Sequence, residues 1–174
     1  MTPEIWAILV AGLIGAVGAL GGVMLQRWFE QRDRREEEAR RLREVARALL
    51  FEIAGFRRDY LVETRTALSN RSDPFSVPLK LPASTPFPAY HANVSRIGEF
   101  QDDEVEAIVT AFNMAASVAS TIAEAVRRQS DMYGAVSLVQ TQAALDAIFR
   151  RLDHILPKAI RWAEAAESLL AKRT

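Results

Sequence analysis

The stretch Ile5–Gln26, IWAILVAGLIGAVGALGGVMLQ, decides the reading of this chain. It holds no charged residue. As a helix it is about 33 Å long at 1.5 Å per residue, close to the roughly 30 Å hydrocarbon core of a bilayer. Trp6 and Trp28 bracket the run and Phe29 follows it, and aromatic rings favour the headgroup level. The pattern predicts one transmembrane helix over residues 5–26, with Trp6, Trp28, Arg27 and Arg32 as interface anchors. A cleaved export signal would carry its basic residues ahead of the apolar run, whereas Met1–Glu4 offers only Glu4.

Orientation follows from the flanks. Residues 27–47 carry eight Arg and six acids, and the amino-terminal flank has no Lys or Arg. The positive-inside rule counts only the basic residues. It predicts Met1–Glu4 outside and everything after Arg27 on the cytoplasmic side of a bacterial inner membrane. Residues 1–26 are then tail and span, and residues 27–174 a cytoplasmic helical domain.

Within the run, Ala7, Ala11, Gly15 and Ala19 fall every four positions, and Gly18 pairs with Gly22 at the same spacing. Such ridges let two helix backbones approach closely, so these six residues are the candidate packing surface of a homo-oligomer. Membrane lipid is the other expected partner.

No Pro or Gly interrupts residues 23–54, so the helix is expected to continue unbroken. Glu30–Arg34, Glu36–Arg40 and Glu37–Arg41 are spaced as i,i+4 ion pairs. Acids interspersed in QRWFEQRDRR (Gln26–Arg35) favour a solvated, salt-bridged surface over an anionic-lipid patch. A heptad seam follows: Leu42, Leu49 and Phe56, interleaved with Ala46, Ile53 and Tyr60. This helix is predicted to end near Ser69–Asn70.

Residues 70–88, NRSDPFSVPLKLPASTPFP, hold five of the seven prolines and cannot be regular helix. Phe75, Val77, Leu79, Leu81 and Phe87 suggest a connection packed along the bundle, and a possible docking segment for a protein partner. A short helix is expected over residues 88–97 with Gly98 as its stop. Asp102 is expected to cap the next helix, whose heptads run Val105, Phe112, Ala119, Val126 and Ile108, Ala115, Ile122. The last helix is expected from Tyr133–Val136 onward, with Pro157 kinking or splitting it. The predicted fold is all-α: an amino-terminal span continuing into an antiparallel cytoplasmic bundle of three long helices and one short.

The short tail, the span, the Arg/Glu-rich helix ending in LLFEI (Leu49–Ile53), the Pro-rich connection and YHANVSRIGEF (Tyr90–Phe100) resemble a loose group of small bacterial and phage-associated single-span membrane proteins. That resemblance implies a membrane-anchored helical fold and supplies no activity.

Composition excludes several chemistries. The chain has no Cys, which removes disulfides, thiol catalysis and zinc–thiolate sites. His91 and His154 are its only histidines. Lys+Arg and Asp+Glu balance at 22 each, so no global field favours nucleic acid. No nucleophile–base spacing, phosphate-binding loop or metal cluster is visible, and the acids Asp103, Glu104 and Glu106 diverge around one helical turn. The expectation is a self-associating interaction or scaffolding protein with no catalytic residue, cofactor or metal. A membrane-disrupting or pore-forming effector of phage lysis or defence type is the alternative.

Overall fold

The computed structural model describes residues 3–71, 77–80, 87–131 and 138–174; in the first helix, side chains are described at 15, 18 and from 20 onward. Every described element is helical. Helix α1 covers Pro3–Phe56, a π-helical turn covers Arg57–Val62, and α2 covers Glu63–Ser69. Helices α3 (Pro88–Ile97), α4 (Asp102–Asp131) and α5 (Leu138–Ala171) follow. The chain divides into two compact units, Met1–Arg41 and Leu42–Thr174. The all-α architecture with three long helices and one short one is therefore observed.

The expected amino-terminal span is corrected. Among the described residues, the helix long and apolar enough to cross a membrane is Asp102–Ser130, in mid-chain, and half of its most apolar window is buried inside the fold. The predicted topology, with residues 1–4 outside and one span at 5–26, is overturned with it. The physical reason lies in how α4 packs. Residues 107–123 are also free of charge. Ile108, Phe112, Ala115, Ala119 and Ile122 are buried along one stripe, and Ala107, Ala111, Val118 and Ala125 along a second. The two stripes adjoin, and a helix buried over so broad a face carries a run as apolar as that of a span.

The direction of the helices in the second unit can be read from its long-range bonds. The Arg47 guanidinium donates to the Thr174 carbonyl (3.4 Å), Arg57 to Glu167 (2.6 and 2.9 Å) and Arg71 to Asp153 (3.0 Å). Ascending the first helix means descending α5, so the two are antiparallel. Arg173 reaches Glu104 at the start of α4 (2.5 Å), which makes α4 antiparallel to α5 as well. The bundle part of α1 and α4 thus run the same way. The expectation of a fully antiparallel bundle is thereby corrected. Between α2 and α3 the chain returns to the starting end, as a long crossover does in other bundles.

Three anchors hold that connection. Val77 and Phe87 are buried, Leu79 is half-buried, and the Gln129 amide donates to the Val77 carbonyl (3.1 Å). At its end, Pro88 takes the first helical position of α3, where a missing N–H costs little. The next two N–H groups, of Ala89 and Tyr90, both donate to the Glu52 carboxylate at 2.8 Å. A carboxylate on α1 thereby caps α3 and complements its dipole. Gly98 follows α3 with right-handed backbone angles, and the chain turns through bonds from Glu99 N–H to Arg96 and from Phe100 N–H to Ile97. The stop therefore does not use glycine's left-handed freedom.

The heptad seam of α1 survives only to Phe56. Ala46, Leu49, Ile53 and Phe56 are buried, and so are Leu61, Thr64 and Leu68 further on, while Tyr60 is only partly covered. From Phe56 to Leu61 is five residues where an α-helix would use four. The π turn absorbs that extra residue and brings the later seam into register with the core. Helix α5 continues through Pro157 as one element, so of the expected kink or split, the split does not occur. Pro157 and Asp153, whose carbonyl it leaves unbonded, both face solvent, where water can satisfy the free group.

Candidate interaction surface

In the first unit every described side chain is exposed. Leu20 is 65% exposed, Met24 73% and Trp28 55%, and Val23, Leu25 and Phe29 are similar. Six large apolar residues within ten positions have no protein cover. Exposed apolar surface of this density marks an interaction site. Gly15, Gly18 and Gly22 share one stripe of the helix, and a Cβ added at any of them meets nothing within 4 Å.

The aromatic and charged residues that follow form a local cluster. Trp28 and Phe29 meet edge to face at 5.1 Å, and the Arg32 guanidinium lies 5.9 Å from the Trp28 ring centre. Arg32 also pairs with Glu36 (2.9 Å), and Arg41 pairs with Glu37. Only one of the three expected i,i+4 pairs, Glu37–Arg41, forms. Glu36 turns to Arg32 instead of Arg40, and Glu30 accepts the Gln26 amide (2.9 Å) instead of Arg34. Among the described residues of this segment, Arg27, Arg34, Arg35 and Arg40 are left without an acidic partner.

Of the anticipated packing residues, the structure places Gly15, Gly18 and Gly22 together on an open stripe. The side chains of Trp6, Ala7, Ala11 and Ala19 lie outside the described residues. Trp28, Arg27 and Arg32 are adjacent on the exposed helix. No family model, curated protein or solved structure matches this chain.

The second unit offers a closed core rather than a cleft. Phe56 stacks on Tyr60 (5.0 Å) and meets Phe87 edge-on (4.8 Å), Phe87 meets Phe112 edge-on (5.2 Å), and Phe112 stacks on Tyr90 (4.3 Å). The Lys80 ammonium covers Tyr60 at 5.6 Å. This chain of rings joins α1, the connection, α3 and α4. At the other end, buried Glu104 accepts the Gln101 N–H (2.9 Å) and the Arg173 guanidinium, which also lies 5.5 Å from the Phe100 ring centre. Burial pushes the Glu104 carboxyl up, but the bonds from Arg173 and Gln101 outweigh it and hold the group below the usual carboxylate range. Glu104 is thus a capping-box residue, with Gln101 rather than Asp102 as the cap. Among the described residues, no cluster of His, Asp and Glu could hold a metal ion.

Glu52, Arg57 and Arg173 escaped the sequence reading. Only Glu104, three residues after Gln101, carried a local signal, since a capping box has a fixed spacing.

Proposed function

We propose that this chain is a helical interaction and scaffolding module that associates with a second copy of itself through the Gly15–Gly18–Gly22 stripe and the apolar residues around it. One observation carries the reading: three glycines with open space line one face of a helix whose large apolar side chains lack any cover. Each of Gly15, Gly18, Gly21 and Gly22 disfavours the helix by about 1 kcal/mol relative to Ala. Such a segment stays helical when another backbone packs against the notch its glycines leave. The bundle then serves as the body that the associating helix carries, and the reading assigns it no catalytic step.

A pore-forming role has no comparable support. The described residues between Gly15 and Leu25 are Gly, Leu, Val and Met, which offer no polar group to line a channel. Sedimentation equilibrium of the full chain, in a detergent that keeps apolar side chains soluble, tests the proposal. Wild type is expected to be an oligomer. Gly18→Leu combined with Gly22→Leu should shift it to monomer while circular dichroism of the bundle stays unchanged. A monomeric wild type, or a variant that associates as well as wild type, refutes it.

A further inference from the structure

The first unit has a second face. At about 100° per residue, Val23, Leu20, Met24 and Trp28 occupy an arc of about 140° on the side away from the glycine stripe. The same turn angle places Arg27, Arg34 and Arg35 inside that arc. Among the described residues none of these three arginines pairs with an acid, so a charged strip continues an apolar one along one side of the helix. Arg27 directly precedes Trp28, and Arg34 lies about 9 Å beyond Trp28 along the axis, so the two zones abut.

We propose that this face, Leu20–Arg35, is a docking surface for an anionic phospholipid surface: Leu20, Val23, Met24 and Trp28 enter the acyl region, and Arg27, Arg34 and Arg35 bind the phosphates. Charge complementarity selects the occupant. The apolar face of a second protein helix would cover the first zone and leave the three arginines unpaired. A fluid apolar phase bounded by phosphate matches both zones at once. Guanidinium groups bind phosphate oxygens in bidentate fashion, and the indole of Trp28 suits the boundary between the zones. The acids nearby do not quench the strip. Glu30 lies at its edge and is held by Gln26; Glu38 shares the arc but lies about 6 Å past Arg34 along the axis, outside Leu20–Arg35. This surface is independent of the glycine stripe, so each can fail alone.

The test is flotation of the full chain with vesicles of phosphatidylcholine alone and with 30% phosphatidylglycerol (an arbitrary anionic fraction, about a third). Trp6→Phe and Trp162→Phe make Trp28 the sole indole, whose emission should shift to the blue on binding. Wild type should prefer the anionic vesicles. Each cation near such a surface is worth about fivefold, so Arg27→Gln, Arg34→Gln and Arg35→Gln together should lower that partition on the order of a hundredfold, leaving the phosphatidylcholine partition unchanged. High salt should bring wild type to the level of the variant. Equal binding to both vesicles, an unchanged triple variant, an unshifted Trp28 or complete competition by inorganic phosphate each overturns the proposal.

Discussion

Replacing Glu52 by Ala should destabilise the bundle far more than a half-exposed glutamate on a helix surface ordinarily would. Its two carboxylate oxygens accept the N–H groups of Ala89 and Tyr90, each at 2.8 Å. These are first-turn donors that α3 cannot satisfy itself, and Pro88 has no N–H to offer. A hydrogen bond to a charged group contributes about 1.5–3 kcal/mol, and partial exposure lets water replace some of it. Taking the lower figure for each bond, the loss is about 3 kcal/mol. For a domain of this size that lowers the melting temperature by roughly 6–12 °C. Glu52→Gln keeps one acceptor and forfeits the charge, so it should lose about half as much. Thermal unfolding followed by circular dichroism measures both, and hydrogen exchange at Ala89 and Tyr90 localises the effect. An alanine variant within 0.5 kcal/mol of wild type would show that α3 is held by Phe87 and Tyr90 packing alone (a threshold of about the spread of ordinary surface substitutions).

Two other perturbations probe the bundle. Deleting exposed Arg58 removes the one residue the π turn absorbs, so Leu61 falls four positions after Phe56 and an unbroken α-helix fits the core; stability should stay within about 1 kcal/mol, whereas deleting Arg47, which rotates the seam of α1, should unfold the bundle, and equal losses in urea titration would contradict the register argument. Because the folded state holds the Glu104 carboxyl below its unfolded value of about 4.3, its contribution is present above that pH and is lost as pH falls through the folded value; the urea midpoint should therefore drop below about pH 4, and Arg173→Gln should flatten that slope.

The elements whose signals are local were legible. Helix α3 begins at Pro88 and ends at Ile97 as its flanking Pro and Gly suggest, and the first helical run ends at Ser69 ahead of the proline cluster. The connection packs as expected at Val77, Leu79 and Phe87, apolar residues in a segment otherwise built to turn, and Phe75 and Leu81 lie outside the described residues. What escaped was set by partners distant in sequence. Arg57 meets Glu167 across 110 positions, and Glu52 meets Ala89 across 37. No spacing rule links such pairs. The parallel course of α1 and α4 is equally non-local, because it depends on where the connection lands.

The misplaced span shows what composition leaves undetermined. A charge-free run says that a helix is surrounded by apolar matter, and that matter can be lipid or protein. The order of small residues helps to separate the cases. In α4, alanines at 107, 111, 115, 119 and 125 fall on the two buried stripes beside Phe112 and Ile122, so the helix alternates bulk and gap toward two neighbours. In the first unit the notches at 15, 18 and 22 lie on one stripe flanked by Leu25 and Phe29, and Leu20, Val23, Met24 and Trp28 lie on the side away from it. One helix has its partners within its own chain. The other exposes its described apolar residues with no cover of its own, so the surfaces proposed for it are a prediction about what lies outside the chain.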